Sequence, residues 1–338
     1  MFESKQMRRR EFIGLGIVAA AWLCALCAQS PARIRRIAFV HPSRPIDQLS
    51  EKTAIYRPFF EELRRRGYVE GRNLIIDRYT GEGQIEPFPE LTRMVISAKP
   101  EVIFVIAGRM AAYLKRATAT IPLVAVTTDP IVLGLASSLA HPGENITGVV
   151  LDAGVELETK RLDLLRQVIP NASTIGYLVP RSMWETKLVE PLREAALSLG
   201  ITLVPAMLES PAQEPEFRRV FGSLKERGIE ALMVADSAEA STQLRLVIDL
   251  AASEYVPSLF PYRSFPEAGG LMSYGPDTRE LYRHAAVDID QILKGEEVGT
   301  IPFYRATTFE LVINQKTAAL LGVQIPPAIY GFASDVIE

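Results

Sequence analysis

Four arginines stand just beyond the ends of short β-branched runs: Arg44, Arg109, Arg181 and Arg263. A guanidinium offers a planar fork that matches a carboxylate or phosphate. Each hydrogen bond to a charged group contributes ~1.5–3 kcal/mol, enough to orient a small ligand. Aromatic side chains interleave with them at Trp184, Tyr262, Phe265 and Tyr274, where they could clamp an apolar or ring-bearing part. Arg109 and Arg263 are therefore assigned as carboxylate partners. Ser43, Thr127 and Thr128 are the hydrogen-bond donors, and Tyr262 and Tyr274 the apolar walls. Gly108, Asp129 and Asp236 complete the candidate set. Arg44 and Arg181 are weaker candidates because their loops read as exposed, and a solvated or locally ion-paired arginine is the plain alternative for each of the four. Thr127-Thr128-Asp129-Pro130 reads equally as a helix start, with Asp129 as cap and Pro130 at the first helical position. The N–H groups of such a start would also suit a carboxylate.

Other chemistry finds no support. Gly81-Glu82-Gly83 and Gly269-Gly270 lack the spacing of a phosphate-cradling turn, and no Gly-x-Ser-x-Gly elbow occurs. His41, His141 and His284 fall in different elements without metal-ligand spacing, and His284 reads as a solvated surface residue. Asp129, Asp236 and Asp277 are not paired for acid–base work. No cofactor, no metal and no catalysis are expected.

The N-terminus sets the compartment. Arg8-Arg9-Arg10 precedes an apolar run over Ile13–Ala28 and a small-residue exit to Ala32. These are the three parts of a secretory signal, and Arg9-Arg10-Glu11-Phe12-Ile13 resembles a twin-arginine export signal. The run is shorter than the ~20 residues of a membrane span. Residues 1–32 are read as a signal peptide cleaved near residues 28–32, and the chain as periplasmic. Cys24 and Cys27 leave with the signal, so the mature chain has no disulfide, no thiol nucleophile and no thiolate site. Losing Lys5, Arg8, Arg9 and Arg10 with Glu3 and Glu11 takes the net charge from −3 to −5. No basic stripe remains for nucleic acid and no second long apolar run for a membrane.

Positioning the loops requires alternating strands and helices. Near-continuous apolar runs at Ile34–His41, Leu74–Tyr79, Val102–Ala107, Leu123–Thr127 and Ile146–Leu151 are strands buried on both faces. Helical patterns lie between them at Glu51–Arg66, Phe88–Ala98 and Met110–Thr118. A helix at Glu156–Val168 starts a second series, with strands at Thr174–Val179, Thr202–Met207, Ala231–Ala235, Ser258–Pro261 and Leu271–Tyr274. Its helices are Glu185–Leu199, Pro215–Arg227 and Ser241–Glu254, and a helix at Arg279–Leu293 and a strand at Phe303–Ile313 follow. Repeated strand–helix–strand units give parallel sheets. In such sheets ligands bind beyond the carboxyl ends of the strands, which is where the candidate residues stand. The fold class is α/β, with two tandem halves and short joins near Leu151–Gly154, Gly275–Thr278 and Arg305–Thr308.

Several segments, in order, resemble the TrpX-like family of periplasmic substrate-binding proteins of ABC transporters. They are Gly67-Tyr68-Val69-Glu70-Gly71-Arg72-Asn73, Asp129-Pro130, the run from His141 to Val149 and the run from Lys160 to Leu165. Tyr274-Gly275-Pro276-Asp277, Ile292-Leu293-Lys294-Gly295 and the run from Phe309 to Asn314 complete the series. The resemblance covers essentially the whole mature chain. It implies a type I periplasmic-binding fold: two doubly wound parallel-sheet lobes joined by three hinge crossings. One lobe would hold 33–150 and 278–304, the other 151–277 and 305–338. It further implies a monomeric solute-binding protein of an ABC importer that delivers a small-molecule ligand to an inner-membrane permease. Some family members are similar to aromatic amino-acid binders. Arg109 and Pro180-Arg181 depart from the small or hydroxyl residues and the Asn-Pro expected at those loops, and this shifts the expected ligand toward an acidic one, an aromatic or aliphatic carboxylate. The alternatives are an exported sensor for a membrane receptor and, behind it, an exported α/β enzyme.

Overall fold

The computed structural model describes residues 33–81, 88–151, 154–186 and 189–338. The signal peptide assigned to residues 1–32 lies outside the described residues. The strands are β1 (Arg35–His41), β2 (Leu74–Thr80), β3 (Val102–Ile106), β4 (Leu123–Thr127), β5 (Ile146–Val150), β6 (Thr174–Pro180), β7 (Thr202–Leu208), β8 (Ala231–Val234), β9 (Ser258–Phe260), β10 (Met272–Pro276), β11 (Tyr304–Arg305), β12 (Phe309–Asn314) and β13 (Asp335–Ile337). They form two sheets, of order β11-β5-β4-β3-β1-β2 and β13-β12-β10-β9-β8-β6-β7.

The first sheet is parallel throughout. β3, β4 and β5 are buried at every residue, as a sheet covered by helices on both faces requires. One face packs on the helices Arg57–Arg65 and Thr278–Lys294, through Phe39, Phe59, Phe104, Leu281, Tyr282, Ala285 and Ile289. The other packs on Phe88–Ser97 and Gly108–Ala117. Gly148 lets β5 approach β4: its φ is 147°, and a Cβ there would lie 2.0 Å from the Ala125 carbonyl oxygen.

Only β12 runs antiparallel to its neighbour β10 in the second sheet. The chain therefore enters the second sheet after β5, returns at Pro276 for the helix Thr278–Lys294 and β11, and crosses again between Arg305 and Phe309. This is the doubly wound architecture with three crossings.

The segment read as one strand over Phe303–Ile313 is divided by that last crossing. β11 pairs with β5 in one sheet and β12 with β10 in the other. The break falls at the short join expected near Arg305–Thr308: Tyr304 is half-buried and Arg305 exposed, and burial resumes at Glu310 in β12. Similarly, the pattern over Ser241–Glu254 becomes two helices, Ala238–Thr242 and Leu244–Ser253, and the pattern from Glu51 becomes helical only at Arg57. Beyond Asn314 lie the helices Gln315–Leu320 and Pro327–Phe332 and the edge strand β13, which the sequence reading left unassigned.

The Gly67–Asn73 motif closes a loop. Gly67 and Gly71 have φ of 95° and 82°, the left-handed region that favours glycine. Asn73 Oδ1 accepts from the Val69 N–H, and its Nδ2 donates to the Gly67 carbonyl. The Tyr68 hydroxyl donates to buried Asp290, which also accepts from Arg66 and Lys294 and so ties this loop to the helix Thr278–Lys294.

Candidate ligand-binding site

The carboxyl ends of the two sheets meet. Thr242 Oγ1, at the end of the helix after β8, donates to Ser43 Oγ in the loop after β1 at 3.3 Å. Tyr262, after β9 of the second sheet, lies close enough to Tyr282, on the helix covering the first, for its ionisation to be affected.

On the first sheet, His41 ends β1 buried, and its Nδ1 accepts from the N–H groups of Ser43 and Arg44. Burial, reinforced by the Arg44 charge, holds its pKa down to about 3, so it stays a neutral acceptor and fixes the loop. Arg44 lies 5.7 Å from the centre of the Tyr56 ring, whose edge meets Tyr282 with centroids 5.2 Å apart. After β3, Ala107 takes a φ of 84° and the chain turns at once into the helix Gly108–Ala117. A Cβ at Gly108 would fall 2.3 Å from both Thr127 Oγ1 and Leu133 Cδ1, so a larger residue there would have to displace these side chains. Thr127 is buried, and its hydroxyl has no hydrogen-bond partner among the described residues. Arg109 is exposed in the first turn of that helix and makes no hydrogen bond or ion pair among the described residues. Thr128, which follows Thr127, is half-buried. Asp129 caps: its Oδ1 accepts from the N–H groups of Ile131 and Val132 at 2.8 and 3.1 Å. The helix expected to follow is only a turn over residues 130–134.

On the second sheet, Asp236 and Tyr262 follow β8 and β9, and the Tyr262 hydroxyl donates to Asp236 Oδ2. Burial, then the Asp236 charge, raises the Tyr262 pKa well above its ordinary value, so the phenol remains a donor. Arg263 does not meet the role assigned to it. Its guanidinium is already held by Glu267, Glu310 and Asp335 at 2.7, 2.7 and 2.8 Å. Arg181 is likewise paired, with Glu185 and Glu209. Tyr274 turns to Phe309 and Phe332, at centroid distances of 6.3 and 6.2 Å, and packs at the edge of its own lobe's core. His284 is half-buried rather than solvated, stacked on Tyr304 at 3.8 Å.

Two groups escaped the sequence reading as site residues. Arg161, in the helix Val155–Val168, is buried and donates to the carbonyls of Pro261 and Tyr274. Tyr56 and Tyr282 lie in helices and not at strand ends, so the strand-end rule did not reach them. A cavity of about 360 Å³ lies away from this region, beside β2, lined by Phe60, Leu63, Leu74 and Ile76 under a rim that includes Lys52 and Arg64. No group of three or more His, Cys, Asp or Glu among the described residues could hold a metal ion. No described helix is long and apolar enough to cross a membrane.

Two α/β sheets, parallel except at β12, with facing carboxyl ends and three crossings define a type I periplasmic-binding fold. A solved structure of a conserved domain protein from Vibrio cholerae is similar over 90% of this chain and 100% of its own, at 26% identity and a TM-score of 0.80. The ABC domain in complex with L-Trp from Streptococcus pneumoniae matches over the same shares at 25% identity and a TM-score of 0.78. A tyrosine-binding protein of Clostridioides difficile is 25% identical over 284 residues, 82% of this chain and 80% of its own. The model of the ABC transporter substrate binding protein family matches residues 47–337, and the chain belongs to that family. Its members are substrate-binding proteins and not enzymes.

Proposed function

We propose that this chain is the exported, periplasmic solute-binding component of an ABC importer, and that it holds an aromatic amino-acid-like ligand between two lobes. The lobes are residues 33–150 with 278–304 and residues 151–277 with 305–338. The observation that carries the reading is that the Ser43–Thr242 contact brings the segments following β1 and β8, from the two sheets, against each other. The first lobe offers Arg109, which has no partner among the described residues, the N–H groups that open the helix Gly108–Ala117, and the hydroxyls of Thr127 and Thr128. Such a constellation suits a carboxylate. The second offers Asp236 with Tyr262, which suits an ammonium. Half-buried Tyr262 supplies an aromatic wall. The L-Trp complex and the tyrosine-binding relative support an amino acid in place of the simple acid that the arginines alone suggest. Closure is favoured only when one ligand touches both lobes, and the closed monomer then presents paired surfaces to an inner-membrane permease.

Calorimetric titration of the mature chain against L-tyrosine, L-tryptophan, neutral sugars and dicarboxylates tests the reading. One saturable site for an aromatic amino acid is expected. Arg109→Ala and Asp236→Asn should each weaken it at least tenfold, equivalent to ~1.4 kcal/mol. Binding of sugars alone would refute it.

A further inference from the structure

We infer that Arg161, a buried side chain, is a positioning residue that sets the ammonium-binding half of the site through Tyr262 and Asp236. Parallel pairing of β9 with β10 stops at Phe260 and Ser273. Pro261 comes next and has no N–H with which to continue the ladder. Arg161 takes over there. Its Nε donates to the Tyr274 carbonyl at 2.7 Å and its Nη2 to the Pro261 carbonyl at 3.2 Å, so one guanidinium fixes the spacing of two strand ends. Nη1 is held by Glu158 at 2.6 Å, which orients the fork.

The seat is specific for a fork in close packing. A Cβ at Gly275 would stand 2.0 Å from the Pro261 oxygen and 3.3 Å from Arg161 Nη2, so glycine is what lets strand and guanidinium meet. The residue after Pro261 is Tyr262, whose hydroxyl holds Asp236. The Arg161 charge acts on both Tyr262 and Asp236. Main-chain position, phenol direction and carboxylate position at this half of the cleft thus follow from one buried cation. A lysine keeps the charge, but its single ammonium cannot reproduce the planar fork.

The inference rests on the ligand class proposed above, and its test separates the two. L-tyrosine and 3-(4-hydroxyphenyl)propionate, which lacks the amine, are titrated by calorimetry into the mature chain and into Arg161→Lys and Arg161→Met. The unaltered chain should prefer L-tyrosine at least tenfold. In both variants that ratio should fall at least threefold, while affinity for the des-amino compound changes less than threefold. A residue that merely supports the fold would weaken both ligands alike, and an unchanged ratio overturns the inference. If Arg161→Met does not fold, Arg161→Lys decides alone by the same ratio. If the unaltered chain binds neither compound, the ligand class is refuted and the inference falls with it.

Discussion

Arg279 donates to Glu310 Oε2 at 2.8 Å, and so links the helix that returns to the first sheet with a strand of the second. Arg263 reaches the same oxygen at 2.7 Å, and Asp277 holds Arg279 from the other side. Two of the three crossings, at Pro276–Thr278 and Arg305–Phe309, are therefore joined by one buried carboxylate.

Removing an arginine from such a site leaves Glu310 buried with an incomplete set of partners. Because Arg279 still holds Glu310, Arg263→Met should destabilise the chain by ~1–3 kcal/mol, the usual consequence of removing one partner of a buried polar group. Urea unfolding measures this. Ligand affinity at temperatures where the variant is folded should change less than threefold, which distinguishes Arg263 from Arg109.

His41 gives stability a pH dependence. Its folded pKa, about 3, lies below the ordinary histidine value, so the unfolded chain takes up a proton that the native chain refuses. Its contribution is fully present above about pH 6.5 and is lost as the pH falls toward 3. Urea midpoints should drop between pH 7 and pH 4, and His41→Gln should drop less steeply over that interval.

Asp288 acts in the opposite sense. Both its oxygens are buried without a hydrogen-bond partner among the described residues, and burial raises its pKa well above the ordinary value. Stability linked to it is full below the unfolded carboxyl pKa and is lost as the pH rises through the folded one. Asp288→Asn removes that loss, so the variant should gain in melting temperature over the parent at pH 8 and not at pH 4.

Gly148→Ala should be among the most damaging single methyl additions. The new carbon would lie 2.0 Å from a backbone oxygen of β4 at a φ of 147°. Overpacking at a core site typically costs ~1–3 kcal/mol, with more expected where backbone and not side chain must move. A loss under 0.5 kcal/mol in urea unfolding would contradict the close approach of these strands.

The strands were legible because each is a short, unbroken apolar run, and the five of the first half lie within a residue of their expected bounds. The crossing between β11 and β12 was legible as the polar join Arg305–Thr308, although the strand read over Phe303–Ile313 ran across it. At the candidate site, the rule that ligands meet strand ends selected Ser43, Arg109, Thr127 and Asp236. It could not tell free arginines from paired ones. The partners of Arg263 come from positions 267, 310 and 335, and no local pattern brings Glu310 or Asp335 to that loop. Arg161 was visible only as part of a family motif, because a buried cation in a helix looks in sequence like a solvated one. Asp129 shows the converse: its capping was readable locally, while the short turn it caps depended on the packing of Leu133 and Leu135.

Equilibrium dialysis of residues 33–338 against labelled L-tyrosine and L-tryptophan, followed by chromatography of the released label, tests the central claim most directly. About one equivalent of an aromatic amino acid should be bound at saturation and recovered unaltered. Failure to retain either amino acid, or recovery of the label as a different compound, would contradict it.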